Sequence, residues 1–311
     1  MNRAWLLAPI AVAAAVTVAI VLSSTGASAT GNASSTVDRL STRGQNYDAF
    51  RRARPAPYFR PRVLRHCGSG DRAPTVVLVH GAWADASSWT GEVRILQAAG
   101  VRVRAIANPV DDLTTDARYV ADFLKTIRGP IVLVGHSYGG AVITNAATDV
   151  PGVKALVYVD AAAPAPGETN GQLSGSRSVL TTGKPGKLYK TVPRPSYAPG
   201  AHELYLREAV FVEDFASDLP RTEAVRLWAS QRGASTAAFM TPSRTAAWKT
   251  IPSWFFVSTG DTIITPASQL AMARRAHARV TTFRGGSHLT LISHPEAVAA
   301  VIASAICDTT G

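Results

Sequence analysis

The stretch Pro130-Ile131-Val132-Leu133-Val134-Gly135-His136-Ser137-Tyr138-Gly139-Gly140 decides how this chain reads. Its first five residues are apolar and rich in β-branched side chains, the signature of a strand buried on both faces. The pattern G-x-S-x-G follows at once, and Ala141 and Val142 continue into a helix of small residues over 138–148. A serine on so sharp a strand-to-helix turn sits in a strained backbone conformation, so its neighbours must be small. The turn lifts the hydroxyl clear of the sheet, and the helix behind it aims N–H groups and its positive dipole end at the same point. Ser137 therefore reads as a nucleophile. The competing reading is an ordinary glycine-rich turn in which Ala141 and Val142 only pack.

On either side of this segment two periodicities alternate. Thr75–Val79, 101–106, Ala155–Val159, Trp254–Ser258 and Arg279–Phe283 are strand-like. Residues 86–99, closed by Gly100, carry helical spacing, as do 115–128, 266–277 and 295–306. Apolar strands separated by helices predict a doubly wound α/β domain with a mostly parallel sheet over 74–311. Residues 161–250 break the alternation with many Gly, Pro and Ser, then helical stretches near 201–216 and 221–232. An insertion here lies above the strand C-termini and reads as a helical cap over the site.

A serine hydroxyl needs a general base, and the base needs a third group to fix its tautomer. On this kind of sheet the chain order is Ser, acid, His. Of seven histidines, His288 lies in Gly285-Gly286-Ser287-His288-Leu289, between the last strand and the last helix, where a base can hang over Ser137. His294, just before Pro295, reads as structural. For the acid, Asp261 closes the strand Phe255-Phe256-Val257-Ser258 and begins a turn; Asp160, at the end of 155–159, is the alternative. Val77-Leu78-Val79-His80-Gly81-Ala82-Trp83 is a second strand ending in a glycine turn. There the Ala82 N–H, with the Tyr138 N–H as its partner, suits an oxyanion hole. The other reading of His80-Gly81 is a tight turn with His80 bonded to nearby backbone, and both readings are compatible.

The remaining features concern location and charge. Arg3, the apolar run Trp5–Leu22, the break at Ser23–Gly26 and Ala27-Ser28-Ala29 have the layout of a secretory signal peptide over 1–29, with the mature chain starting near Thr30. The alternative is a retained anchor, since such a run just spans a bilayer. After cleavage no stable membrane insertion is expected. Residues 30–73 form a basic arm rich in Ser, Arg and Pro, with nine Arg and three Asp. The net charge of +11 over 311 residues raises the question of a polyanion partner. Most of that charge lies on the arm, and only +4 remains on 74–311. Nucleic acid is therefore not expected as a partner, and the arm reads as a solvated tether. With 46% hydrophobic and 17% charged residues, a disordered chain is excluded. Two cysteines exclude a disulfide-dense miniature or a Cys-rich metal domain. In an exported protein Cys67 and Cys307 suit a single disulfide, worth roughly 5 kcal/mol in the chain-entropy picture for so long a loop. The alternative is two buried thiols.

With these residues in hand, the chain resembles the α/β-hydrolase superfamily from about 74 to 306. Within it, the chain is similar to small bacterial serine hydrolases related to plant methylesterases and hydroxynitrile lyases. The resemblance is carried by Leu78-Val79-His80-Gly81-Ala82-Trp83, Gly135-His136-Ser137-Tyr138-Gly139-Gly140, Ser258-Thr259-Gly260-Asp261 with Ile264-Thr265-Pro266, and Ser287-His288. It implies a Ser137–His288–Asp261 triad, an Ala82/Tyr138 oxyanion hole, and neither metal nor organic cofactor. The lyase branch would carry a threonine in the first oxyanion loop and a lysine after the histidine. Here the loop reads His80-Gly81-Ala82 and His288 is followed by Leu289, which argues against cyanohydrin cleavage. Relatives that open epoxides or remove halogens use an aspartate nucleophile, whereas position 137 is Ser. The expectation is a secreted carboxylic ester hydrolase acting on a small-molecule ester. The alternatives are other cofactor-free chemistry on the same triad, perhydrolase or lyase, and a non-catalytic secreted binding protein.

Overall fold

A computed structural model of the protein describes residues 73–194 and 200–310. The chain divides into two units, 1–54 and 55–311, and every described residue belongs to the second. The expected signal peptide over 1–29, the expected basic arm up to residue 72 and Cys67 lie outside the described residues. Among the described residues no helix is long and apolar enough to cross a membrane.

Nine strands and six helices of eight residues or more make up the described part. In chain order they are β1 Thr75–Val79, α1 Thr90–Ala98, β2 Arg102–Ile106, α2 Leu113–Lys125, β3 Ile131–His136 and α3 Tyr138–Ala146. After β4 Val153–Val159 come β5 Tyr189–Pro193, β6 His202–Leu206, α4 Arg221–Ala229, β7 Ala234–Ser235, β8 Ser253–Ser258, α5 Pro266–Arg275, β9 Arg279–Phe283 and α6 Pro295–Thr310. Six strands form one parallel sheet in the order β2-β1-β3-β4-β8-β9. The four central strands are buried apart from Lys154 near the start of β4, as their largely apolar sequences require, while β9 at the edge is largely exposed.

Connections from β1 to β2 and from β3 to β4 run in opposite directions across the sheet. Right-handed crossovers then place α1 on one face and α2 and α3 on the other. α1 packs against α6, and α2 against α3, which closes a layer over each face. The direction reverses between β1 and β3, so a crevice opens there above the carboxyl ends of the strands. Gly81 leaves β1 and Ser137 leaves β3 at that crevice.

α2 starts at Leu113, two residues before its sequence signal, because Asp112 caps it. The Asp112 carboxylate accepts the N–H of Thr114 at 2.9 Å and of Thr115 at 3.3 Å. α6 runs on to Thr310, beyond the expected end at 306.

The cap differs from a purely helical one. The insertion between β4 and β8 holds a three-stranded antiparallel sheet, β5-β6-β7, beside α4 and several short turns. Residues 202–206, expected to begin a helix, pair as β6 with β5, setting Leu204 opposite Thr191 and Leu206 opposite Tyr189. Pairing with a distant β-branched segment overrides local helical spacing there.

Replacing Asp112 with Ala should lower the unfolding free energy by about 1 kcal/mol, the usual cost of a lost N-cap. Urea unfolding should show a lower midpoint at unchanged slope; an unshifted midpoint would show that the cap contributes nothing.

Candidate active site

Ser137 sits at φ 55°, ψ −124°, at the N-terminal end of α3. This positive φ is costly for a residue with a side chain and persists only where the surroundings over-determine it. Here they do. The Ser137 N–H donates to Val159 O at 3.3 Å, and its carbonyl accepts Gly140 N–H at 3.0 Å and Ala162 N–H at 3.1 Å. Gly135 allows the turn to close: a Cβ there would stand 2.5 Å from Gly139 O and 2.7 Å from Gly140 N.

Three distant segments bring the chemistry together. His288 Nε2 lies 2.7 Å from Ser137 Oγ, and His288 Nδ1 lies 2.8 Å from Asp261 Oδ2. All three side chains are buried. Asp261 Oδ1 accepts the N–H groups of Ile263 at 2.8 Å and Ile264 at 3.1 Å, and Oδ2 also accepts Gln269 Nε2 at 2.9 Å. Burial pushes the Asp261 carboxyl up, while those donors favour the anion. Because Asp261 only accepts, His288 donates from Nδ1 and leaves Nε2 free to accept the serine proton. Burial pushes the imidazole down, which keeps it neutral with Nε2 unprotonated.

The runner-up acid has a different use. Asp160 is also buried, with φ 44°, and accepts Ser258 N–H at 2.7 Å and Ser258 Oγ at 2.8 Å. It ties the end of β4 to the end of β8 and makes no hydrogen bond to His288. His294 packs its ring 4.7 Å from Phe283, away from the triad hydrogen bonds.

Gly81 lies directly against Ser137. A Cβ on it would stand 2.5 Å from Ser137 Cβ and 3.1 Å from Ser137 Oγ. The loop after β1 therefore passes the serine at backbone distance, and Ala82 follows in it. Among the described residues the Ala82 N–H donates to no protein acceptor, and Tyr138 N–H belongs to the first helical turn, whose donors have no intrahelical partner. His80 stiffens this loop. Burial pushes it down to about 4. The neutral ring donates from Nδ1 to Gly81 O at 2.8 Å and accepts Asn108 N–H at Nε2 at 2.9 Å.

Several contributors escaped the sequence reading. His136 Nε2 donates to His288 O at 2.8 Å, bracing His288 from the turn at Ser137. Gln269 is a polar residue on the buried face of α5, eight positions after Asp261, and that placement was its only signal. From the cap, Phe215 sets its ring 5.1 Å from His288. Trp83 stacks on Tyr189 and Phe239 and meets Phe215 edge-on, and Phe239 reaches Tyr138. A cleft of about 330 Å³ opens beside this wall, lined by Trp83, Phe211, Leu227, Leu289 and the paired Glu223 and Arg226. It touches the neighbours of Ala82 and His288 in sequence, but not the triad itself.

With this geometry in place, comparison with known proteins is informative. Residues 76–301 match the model of the alpha/beta hydrolase family. A carbendazim hydrolyzing esterase from Nocardioides sp. is 35% identical over 106 residues, 30% of this chain and 44% of that protein. The chain spans less than half the length of each of the first two curated relatives it matches. Among solved structures, a pyrethroid hydrolase from Sphingobium faniae is 27% identical, with 74% of this chain and 96% of that one covered and a TM-score of 0.58. A methylesterase from Arabidopsis shares the fold at 18% identity, with 75% and 99% coverage and a TM-score of 0.61.

Tyr138 also donates its hydroxyl to Asp116 Oδ2 at 2.8 Å, and Asp111 N–H reaches the same oxygen at 3.0 Å. Asp116 is buried and its Oδ1 has no partner among the described residues. Burial pushes this carboxyl from 3.8 up to about 6. The folded state therefore binds a proton more tightly than the unfolded chain, so stability is lost as pH rises from about 4 to 6 and is flat above. Asp116→Asn, a neutral isostere, should match the wild type at pH 4 and exceed it at pH 8 by about 3 kcal/mol at most. Urea unfolding at the two pH values tests this; equal stability at pH 8 would sink it.

Proposed function

The chain belongs to the alpha/beta hydrolase family, and from that premise we propose that it is a serine hydrolase cleaving carboxylic esters of small molecules. The observation that carries this reading is the unbroken relay from Ser137 Oγ through His288 to Asp261, at 2.7 and 2.8 Å. Ser137 attacks the acyl carbon while its proton passes to His288 Nε2. Asp261 holds the tautomer and stabilises the imidazolium that forms. The N–H groups of Ala82 and Tyr138 receive the charge developing on the carbonyl oxygen. The tetrahedral species collapses as His288 hands the proton to the alkoxide, and an alcohol leaves. Water, deprotonated by the same imidazole, then attacks the acyl-enzyme; the acid departs and Ser137 regains its proton. The aromatic cluster of Trp83, Phe215 and Phe239 beside Ala82 and Tyr138 suits an apolar acyl or alcohol group. The names of the carbendazim and pyrethroid relatives point the same way.

Ser137→Ala should cut hydrolysis of p-nitrophenyl esters by roughly 10⁵-fold or more and abolish labelling by a fluorophosphonate. A variant that still takes the label would remove Ser137 from the role.

The proposal extends to location. Residues 1–29 direct export, cleavage follows Ala29, and Cys67 pairs with Cys307 in the oxidising space outside. Among the described residues no cysteine is free, in keeping with the pairing. Protein recovered from the medium should begin near Thr30 and show no thiol when denatured without reductant. A membrane-bound chain retaining Met1, or two titratable thiols, would overturn export or the bridge respectively.

A further inference from the structure

Asp218 lies in the cap, three residues after the Phe215 ring that covers His288. It makes no hydrogen bond to Ser137, His288 or Asp261. Both of its carboxylate oxygens are nevertheless engaged by the loop that carries the base. Ser287 Oγ donates to Oδ1 at 2.5 Å, and Ser293 Oγ donates to Oδ2 at 2.6 Å. The two serines are buried and sit one residue before His288 and five after it. The Ser287 hydroxyl also accepts the N–H of Leu289 at 3.1 Å, so it reaches around His288 and ties the preceding residue to the following one. Thr290 Oγ1 donates to Ser287 O at 2.6 Å and closes the same turn.

Hydrogen bonds onto an ionised carboxylate are about twice as strong as neutral ones. Here they join two separate elements, the cap and the β9–α6 loop. From the core, His136 donates to the His288 carbonyl, Asp261 and Ser137 bond its ring, and Ser258 Oγ lies 2.7 Å from Thr290 Oγ1 in the same turn. The loop behind the acid is held from the cap as well. Ser178 Oγ donates to Ile263 O at 2.6 Å, Val179 N–H to Thr262 O at 3.0 Å, and Thr265 N–H to Ser174 O at 2.9 Å.

We infer that Asp218 is a positioning residue: through Ser287 and Ser293 it locks the His288 loop to the cap and holds the imidazole in register with Ser137. This rests on the reading of Ser137 and His288 as nucleophile and base. Asp218 itself touches neither substrate nor reacting atoms. Its loss frees the loop, and a displacement of the order of an ångström at the base is expensive.

The test uses the full mature chain and four variants, three single and one double. Asp218→Ala should lower kcat on p-nitrophenyl esters by roughly 10- to 100-fold with KM nearly unchanged. Asp218→Asn keeps one acceptor oxygen and should recover most of that loss. Ser287→Ala should resemble Asp218→Ala, and the double variant should be no worse than the poorer single one, because both act through one contact. A second readout does not need turnover. The His288 Nδ1–H proton bonded to Asp261 gives a far-downfield proton resonance, which should broaden into solvent exchange in Asp218→Ala and persist in Asp218→Asn. If the wild type hydrolyses no ester and takes no fluorophosphonate, the functional reading fails, and the downfield proton still decides the clamp. Asp218→Ala with both kcat and the downfield proton intact overturns the inference. So does a kcat loss in Asp218→Ala and Ser287→Ala that is fully additive in the double variant.

Discussion

The backbone of Ser137 is the constraint on which the rest depends. An L-residue at φ 55° is held against its own preference, and what holds it is the convergence of three strand ends. β4 supplies the Val159 carbonyl, the chain just past β4 supplies the Ala162 N–H, and the loop after β1 presses Gly81 against the serine. None of these contacts exists until the parallel sheet is assembled in its order, with the direction of winding reversed between β1 and β3. The fold thus builds the crevice and the strained turn with the same topology. The stability of the hydrophobic sheet, buried across four central strands, meets the cost of the turn.

Burial does the electrostatic sorting in this site. Three histidines at its heart, His80, His136 and His288, are all driven toward the neutral form by loss of solvent. Their hydrogen bonds then give each a different task. His80 donates to one backbone group and accepts from another, so it is inert scaffold. His136 donates to the carbonyl of His288 and braces it. Only His288 has a carboxylate on one nitrogen and a hydroxyl on the other. The two buried aspartates separate in the same way. Asp160 accepts two hydrogen bonds from Ser258 and fastens two strands, whereas Asp261 is aimed by two backbone N–H groups and Gln269 at the imidazole.

This sorting explains what was legible in the sequence. The sheet strands, the elbow at Ser137, and the places of Asp261 and His288 are local features: apolar runs, a glycine turn, a polar residue closing a strand. Each can be read within about seven residues. Gln269 and Asp218 act across 8 and 69 residues of chain, and their partners are set by tertiary packing alone. Residues 202–206 in the cap read as helix for the same reason. β6 is a strand because β5 and β7 border it, and its own spacing would serve a helix equally well. His136 was visible as part of the elbow, but its bond to a carbonyl 152 positions away was not.

The cap therefore carries more than shape. Its aromatic residues wall the space over Ala82 and Tyr138, while its polar residues hold the loops of the acid and the base from above. The same segment thus borders the space beside Ser137 and is bonded to the loops of Asp261 and His288. The core bears the strained Ser137 between strand ends, whereas His288 hangs from a loop to which the cap is bonded through Asp218. That division joins the insertion between β4 and β8 to the loop that sets the 2.7 Å between His288 and Ser137.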